Sequence, residues 1–224
     1  LSLTTDETHA MYMAGYDQDN NYIRDVNVQW TVQGDIGTIS TGTSYSSSTI
    51  FTATTIGTGT VQADTSTFQD QTGIITVSGG ALSYLLIRDE ANGGGSAVGA
   101  VNMTTDESLI LYAAGYDADN NYLSDVDGSW SVTGSLDGIA SSGTSIEFSP
   151  STSSTSGTIV LSSTGLTSDA TGTVTVGTGV LDQITIRDGS GGSGSEVEAL
   201  SLTTDETHAM YMAGYDQDNN YIRD

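Results

Sequence analysis

The sequence contains no cysteine and no lysine, and it has a single proline, Pro150. Without cysteine the chain forms no disulfide and offers no thiolate for metal binding or nucleophilic catalysis. Without a lysine amine it also forms no intramolecular isopeptide cross-link. No apolar run approaches the roughly 18 residues of a membrane-spanning helix, so we expect no membrane span.

Positive charge is almost absent as well, because 4 Arg face 28 Asp and Glu, which gives a net charge of −24. A surface of this sign repels nucleic-acid phosphates and anionic membranes, so we expect neither as a partner. It favours bound cations, a high-salt habitat or simple solubility. Disorder is the competing interpretation, but 36% hydrophobic residues and 28 glycines reach the globular range.

One stretch occurs repeatedly in the chain. Residues 1–25 and 200–224 are identical, and a diverged copy lies between them. The copies share a Thr-Thr-Asp-Glu turn that begins at Thr4, Thr104 and Thr203, so they are 100 and 99 residues apart. A spacing of this size predicts tandem whole domains rather than a solenoid.

Helical periodicity is nearly absent, and short runs of β-branched and aromatic residues are bounded by Gly, Ser, Asn and Asp. About seven short strands per repeat, with turns every 8–12 residues, are typical of an immunoglobulin-like (Ig-like) sandwich. We predict strands at Leu82–Arg88 and Leu109–Tyr116. Trp30 and Trp130 each lie on the next predicted strand of their repeat, where they are expected to anchor the core of the domain. Alternation predicts that Met and Leu face the core, with tyrosines outward or beneath a loop.

We therefore predict an all-β fold of tandem Ig-like β-sandwich domains arranged head to tail. Residues 1–79 form a domain that lacks its first strand, 80–178 a complete domain, and 179–224 the first strands of a third. Two explanations of why the first and third predicted domains are incomplete remain open. The chain is either a window on a longer periodic array or a subunit whose incomplete ends are completed by strand donation.

The segment AGYDQDNNYIRDVNVQWTVQGDIGTIS, residues 14–40, resembles bacterial immunoglobulin-like (Big) domains of invasin/intimin-type surface adhesins. The shared order is an Asp/Asn loop, a V-x-W strand and a glycine-rich turn. The loop departs from that family in having DNN where DxNGN is commoner. The resemblance implies modular, non-enzymatic spacers or binders at the cell surface or outside the cell.

Each repeat copy contains an acidic loop, which we define as residues 17–25, 117–125 and 216–224, beginning D-x-D-x-N. Ca²⁺ takes six to eight oxygen ligands, and this spacing places three oxygen side chains around one turn. Tyr22 and Val28 stand where an EF-hand has Gly and Glu, so the loop is not an EF-hand. The predicted calcium ligands of the first two loops are Asp17, Asp19, Asn21, Asp25, Asp117, Asp119, Asn121 and Asp125.

Further ligands are expected from segments that an Ig-like sandwich brings near these loops. They are Asp70 and Asp169 from a later loop, Asp6, Glu7, Asp106 and Glu107 from the Thr-Thr-Asp-Glu turn, and Asp89, Glu90 and Asp188 from the linkers. The alternative is that Asp and Asn are there for turn geometry alone. Calcium binding and turn chemistry are both consistent with the sequence.

The function predicted from these patterns is a structural repeat of an extracellular filament or adhesin stalk, with copies of itself as the partner. No nucleophile elbow is present, and the glycine runs lack the context of a phosphate cradle, so we do not expect an enzyme. A ligand-binding module for glycan or ice, with Tyr12 and Tyr112 as a platform, is the alternative. Arg88 and Arg187 are expected to pair with the neighbouring Asp89 and Asp188.

Overall fold

The computed structural model describes all residues, 1–224, and contains strands and turns but no helix. No helical segment is therefore available to cross a membrane. The first twelve strands are β1 (Ser2–Thr4), β2 (Thr8–Tyr12), β3 (Ala14–Tyr16), β4 (Tyr22–Asp25), β5 (Val28–Gln33), β6 (Gly37–Ile39), β7 (Tyr45–Ser46), β8 (Ser48–Ala53), β9 (Gly57–Asp64), β10 (Gln69–Gln71), β11 (Ile75–Ser78) and β12 (Tyr84–Arg88).

The remaining strands are β13 (Val101–Thr104), β14 (Leu109–Tyr116), β15 (Tyr122–Asp125), β16 (Gly128–Val132), β17 (Ser142–Gly143), β18 (Ser145–Phe148), β19 (Thr155–Gly157), β20 (Ile159–Ser162), β21 (Asp169–Ala170), β22 (Val174–Gly177), β23 (Gln183–Arg187), β24 (Tyr211–Tyr215) and β25 (Tyr221–Arg223). The all-β prediction is confirmed. Strand β14 has the predicted bounds, whereas β12 begins two residues later than predicted.

The chain divides into two compact units. Unit 1 contains Leu1–Tyr84 together with Gly115–Ser124, and unit 2 contains Leu85–Ala114 together with Asp125–Asp224. The start of the second acidic loop thus belongs to the body of unit 1. The boundaries drawn from the sequence repeat remain predictions.

Unit 1 is built from two main sheets. One has the order β1-β11-β9-β5-β7, with β10 added beside β9, and the other has the order β2-β8-β6. Alternate residues of both sheets point inward, since side chains in a strand alternate between its faces. Val28, Trp30 and Ile75 of the first sheet meet Met11 and Phe51 of the second in one core. Strands β3 and β4 form a separate two-stranded ribbon.

Unit 2 contains the strand pairings of an Ig-like sandwich. Strand β14 pairs with β18, β16 pairs with β20, and β13 runs parallel to β22. The core contains Leu111, Trp130 and Phe148, together with Leu85 and Ile87 of β12. The sheet β23-β24-β25 completes the unit.

The predicted core anchors are confirmed. Trp30 and Trp130 are 4% and 3% exposed, and their indole N–H groups donate to the carbonyls of Ser46 and Gly143 at 3.0 and 2.9 Å. Burial of the ring therefore leaves no indole N–H unpaired, which would be costly. Met11 and Leu111 face the core as predicted.

Candidate functional site

The acidic loops are organised by their first aspartate. Asp117 Oδ1 accepts hydrogen bonds from the backbone N–H of Asp119 at 3.1 Å and of Asn121 at 2.8 Å. The Asn121 carboxamide also donates to both carboxylate oxygens of Asp117, at 3.1 and 3.0 Å. Asn120 closes the turn with φ of +70°, a left-handed conformation that asparagine tolerates better than most residues.

All three loops have this internal geometry. The N–H of the residue two positions on donates to Asp17 at 3.0 Å and to Asp216 at 3.1 Å. The N–H four positions on donates at 2.8 and 2.7 Å, respectively. Side-chain-to-backbone hydrogen bonds of the turn, the alternative to calcium in the sequence analysis, therefore determine the internal structure of these loops.

The second loop makes a further set of bonds inside unit 1. Thr5 Oγ1 donates to Asp117 Oδ2 at 2.7 Å, and the Gly80 N–H donates to the same oxygen at 3.2 Å. Asp117 has no exposed surface, and Thr5 is only 4% exposed. A buried carboxylate is tolerable here because both of its oxygens accept several hydrogen bonds.

The third loop makes the equivalent bonds inside unit 2. Thr105 Oγ1 and the Gly179 N–H each donate to Asp216 Oδ2 at 2.9 Å, and Asp216 again has no exposed surface. In the first loop Asp17 is exposed and accepts bonds only from its own loop. The internal bonds of the loop are thus common to all three copies, and the bonds from a threonine and a glycine are added to them at Asp117 and Asp216.

The loop asparagine adds a second arm to this contact. Asn121 donates from Nδ2 to the Thr54 carbonyl at 3.0 Å and accepts from the Ile56 N–H at 3.5 Å. In unit 2, Asn220 donates to the Ser151 carbonyl at 3.0 Å and accepts from the Ser153 N–H at 3.1 Å. One amide thereby satisfies a donor and an acceptor of a neighbouring turn.

A reciprocal bond comes from the Thr-Thr-Asp-Glu turn. Asp6 Oδ2 accepts from the Ala81 N–H at 2.7 Å, and Asp106 Oδ2 accepts from the Val180 N–H at 2.6 Å. A Cβ on Gly80 would lie 2.4 Å from Asp6 Oδ2, so a larger residue there would displace the Asp6 carboxylate from this position. We call this arrangement the aspartate joint. Its members are Thr5, Asp6, Gly80, Asp117 and Asn121 in unit 1, and Thr105, Asp106, Gly179, Asp216 and Asn220 in unit 2.

The joint keeps its aspartates ionised. Burial by itself raises the pKa of Asp117, but the hydrogen bonds from Thr5, Asn121 and Gly80 outweigh it and hold the pKa below its usual value. For Asp216 burial likewise acts upward, and the bonds from Gly179, Asn220 and Thr105 bring the net pKa shift downward.

Most of the other predicted calcium ligands accept hydrogen bonds from N–H or O–H groups. Glu7 and Glu107 fold back onto the N–H groups of their own turns, at 2.7 and 2.8 Å. Asp25 accepts from the Tyr22 hydroxyl at 3.0 Å. Asp125, Asp169, Asp89 and Asp188 accept from the N–H groups of Asn92, Ile87, Ser96 and Ser195 at 2.9, 2.8, 2.6 and 2.6 Å.

The carboxylates of Asp19, Asp70, Glu90 and Asp119 are exposed. No group of three or more acidic or histidine side chains is arranged to hold a metal ion. The structure thus brings Asp6, Asp117 and Asn121 to one joint, but each is bonded to N–H or O–H donors. Calcium binding by the predicted residues remains a prediction.

The predicted ion pairs of the linker arginines are wrong. Arg88 donates to the carbonyls of Gly93, Gly94 and Gly95 at 3.0, 3.0 and 2.8 Å, and Arg187 donates to those of Ser193 and Gly194. Each glycine-rich segment surrounds the guanidinium group of its arginine. The N–H donors of that group point in several directions, so one side chain reaches several backbone carbonyls. Asp89 and Asp188 instead accept hydrogen bonds from the backbone N–H groups of Ser96 and Ser195, at the ends of these segments.

Sequence reasoning missed the threonines and glycines of the joint. Thr5 and Thr105 precede the predicted acidic ligands, and Gly80 and Gly179 are the first residues of the predicted second and third domains. A signal was present, because Thr-Thr-Asp-Glu is retained in all three copies while other positions of the middle copy change. The glycines are also 99 residues apart, the spacing of the second and third copies.

No protein-family model and no curated protein matches the chain. Similar solved structures include the adhesin InvE of Yersinia pseudotuberculosis, at 13% identity and a TM-score of 0.35, over 78% of this chain and 56% of InvE. The chain thus spans about half of the InvE structure. Domains 5-6 of the S-layer protein SbsC match at 12% identity and a TM-score of 0.29, over 79% of this chain and 93% of that one.

The C-terminal 282-residue fragment of intimin, solved in complex with the intimin-binding domain of its translocated receptor, matches at 15% identity and a TM-score of 0.26. That similarity covers 81% of this chain and 65% of the fragment. These neighbours are bacterial surface proteins of the kind that the sequence resembles. Their identities and TM-scores are too low to support a functional argument.

The three copies allow the joint to be tested with one substitution at equivalent positions. We expect Thr5→Val to lower the free energy of unfolding by about 1–3 kcal/mol, because a buried carboxylate loses a hydroxyl donor. Thr204→Val, at the exposed equivalent in the third copy, should change it by less than about 0.5 kcal/mol. Urea unfolding of the two variants measures both values, and equal effects would contradict the joint.

Acid should weaken the joint. A folded-state pKa below the unfolded value of about 3.9 gives stability that is present above that pH and is lost as the pH falls toward the folded pKa. The difference in unfolding free energy between wild type and Asp117→Asn should therefore shrink as the pH falls below about 4. Urea unfolding between neutral and acid pH measures it. The matched control is Asp119→Asn, which alters an exposed carboxylate; a gap for Asp117→Asn that does not change with pH would argue against an ionised joint.

Proposed function

We propose that the chain is a structural repeat of an extracellular filament or adhesin stalk, in which successive Ig-like repeats are coupled through the aspartate joint. One observation carries the proposal. In the second and third copies, the first aspartate of the acidic loop is buried and bonded to a threonine and a glycine that lie far away in the sequence.

The chemistry of the joint suits a repeated mechanical connection. Its core is a charged acceptor surrounded by O–H and N–H donors, and such bonds are stronger and more directional than apolar contacts. Misplacing them would leave the Asp117 carboxylate buried without partners, which is costly. Misplaced partners of the carboxylate are therefore disfavoured more strongly than misplaced contacts at an apolar interface.

The joint also explains how an acidic chain brings its segments together. With a net charge of −24 and only four arginines, the chain has few cations with which to form ion pairs. Backbone N–H groups and threonine hydroxyls supply positive partial charge without any cationic side chain. We assign the coupling of repeats to these groups, in line with a non-enzymatic, self-associating surface protein.

Calcium is a separate hypothesis within this function. A cation at Asp117 or Asp216 would have to displace the donors that already occupy their oxygens. The exposed carboxylates of Asp182 and Asp218 line one cleft of unit 2 together with Asp106 of the joint. Like charges around a cleft repel, and a divalent cation would relieve that repulsion. The cleft is not a preformed ion cage.

A double-mutant cycle tests the proposed coupling. Thr5→Val, Asp117→Ala and the combined variant should show a coupling energy of about 1–3 kcal/mol in urea unfolding, because each partner is buried with the other. The control cycle combines Asp117→Ala with Thr204→Val, whose side chain is exposed. Additive effects in the Thr5 cycle would refute coupling through this bond.

A thermal melt in Ca²⁺ and in EGTA tests the calcium hypothesis. A cation that binds only the folded chain stabilises it by about 2.7 kcal/mol at a hundredfold excess over its dissociation constant. If calcium binds at the exposed acids, the melting temperature should rise in Ca²⁺, and Asp119→Asn with Asp218→Asn should abolish the rise. Mg²⁺ at equal concentration controls for ionic screening. An unchanged melting temperature would contradict calcium binding and leave hydrogen bonds as the stabilising interactions of the joint.

A further inference from the structure

We propose that the outer face of one sheet of unit 1 binds an extended, uncharged polysaccharide. The face is formed by the outward side chains of β7, β5, β9 and β10, which are hydrogen-bonded in that order. The inference goes beyond the proposed structural function and does not involve the aspartate joint. We call this surface the amide face, and its members are Gln29, Gln33, Gln62, Gln69, Gln71 and Tyr45.

The strand register aligns these side chains in rows across the sheet. In the first row, Gln29 lies opposite Tyr45 on one side and Asp64 on the other, and Asp64 lies opposite Gln69. Neighbouring strands are about 4.8 Å apart, so this row is roughly 14 Å wide. The second row consists of Thr31, Gln62 and Gln71.

The exposure of this face is a property of the sheet in both units. In unit 1, residues that alternate with the amides, such as Trp30 and Ala63, are buried, so the amides point outward. In unit 2, β16 pairs with β20 and β20 pairs with β21 in the corresponding register, and the outward positions are again exposed or half-buried. The face is therefore open to solvent in each unit.

The two units differ in the residues that this face carries. The inward positions keep their apolar character, with Trp30 and Val61 in unit 1 and Trp130 and Ile159 in unit 2. The outward positions change. By strand register, the unit 2 counterparts of Gln29, Tyr45, Gln62 and Gln71 are Ser129, Ser142, Val160 and Ala170. The sheet of unit 2 forms with these shorter side chains, so the fold does not require the glutamines.

Several of the amides are already held in place by hydrogen bonds. Gln33 Nε2 donates to Gln62 Oε1 at 3.4 Å, and Gln71 Nε2 donates to Thr60 Oγ1 at 2.6 Å. These bonds restrict the side-chain rotamers before a ligand arrives, which lowers the entropy cost of binding. Each amide has two N–H donors and a carbonyl with two lone pairs, so further bonds to a ligand remain open.

The chemistry of the face matches that of a sugar. A hydroxyl group both donates and accepts, and so does an amide, which lets one glutamine bond to neighbouring hydroxyls of a sugar ring. Tyr45 is 58% exposed and presents an apolar ring beside a polar hydroxyl. A sugar ring has the same combination, with C–H groups on its faces and hydroxyls at its edge. An extended polymer suits this open surface, because a compact ligand is held best in a cavity.

Charge argues against other occupants. The two rows contain one charged side chain, Asp64, whose carboxylate accepts a hydrogen bond from Gln69 Nε2. The face thus offers no cation to hold a phosphate or a carboxylate. A second copy of this chain would bring another net charge of −24, and like charges oppose that contact. An uncharged polysaccharide meets neither penalty.

Calorimetric titration of the full 224-residue chain with cellohexaose and with mannohexaose tests the proposal. We expect binding of an uncharged hexaose, and at least tenfold weaker binding of a mannuronate hexamer, which carries a carboxylate on each ring. Gln29→Ser, Gln62→Val and Gln71→Ala together should also weaken binding at least tenfold. These are the residues that unit 2 carries in the same sheet, so the variant should fold.

The matched control is Tyr12→Ser with Ile50→Ser, which changes two exposed residues of the β2-β8-β6 sheet and should bind like wild type. Loss of binding in this control, or absence of binding to both hexaoses, would overturn the proposal. Light scattering tests a second copy as the occupant. A wild type that self-associates, with a triple variant that stays monomeric, would likewise overturn it.

Discussion

The hydrogen-bonded carboxylate of Asp117, repeated at Asp216, is the interaction around which the aspartate joint of each unit is built. Each of these aspartates is buried in a chain with few cations, and each is surrounded by donors from its own loop, a threonine and a glycine. Burial disfavours the charged form of the carboxylate, and the hydrogen bonds that the carboxylate accepts outweigh this effect. The internal bonds of the loop present the carboxylate, and the Thr-Thr-Asp-Glu turn completes its shell.

Much of the fold could be predicted from the sequence. Alternating Met and Leu, the V-x-W pattern and frequent turn residues led to an all-β sandwich with Trp30 and Trp130 in its core, and the structure confirms each. These predictions succeed because burial of one strand face is a local, periodic property. The exact start of β12 was less well predicted, since strand ends depend on pairing partners.

The site was only partly predictable. The spacing of Asp117 and Asn121 identified the right loop, but which donors would surround it depends on contacts between residues more than 100 positions apart, such as Thr5 and Asp117. The acidic composition favoured an ion pair between Arg88 and the adjacent Asp89, but Arg88 donates to backbone carbonyls instead. Three glycine carbonyls can surround its planar guanidinium, whereas the neighbouring Asp89 is engaged in capping the same loop.

The order of the repeats has a consequence for folding. Identical neighbouring domains are prone to exchange strands and misassemble while they fold. Here the identical stretches are 199 residues apart, with a diverged copy between them. During synthesis, each stretch therefore meets a dissimilar neighbour first, and the entropy of closing the longer loop further disfavours contact between the identical pair. The two identical stretches are thus separated within the chain by a dissimilar one.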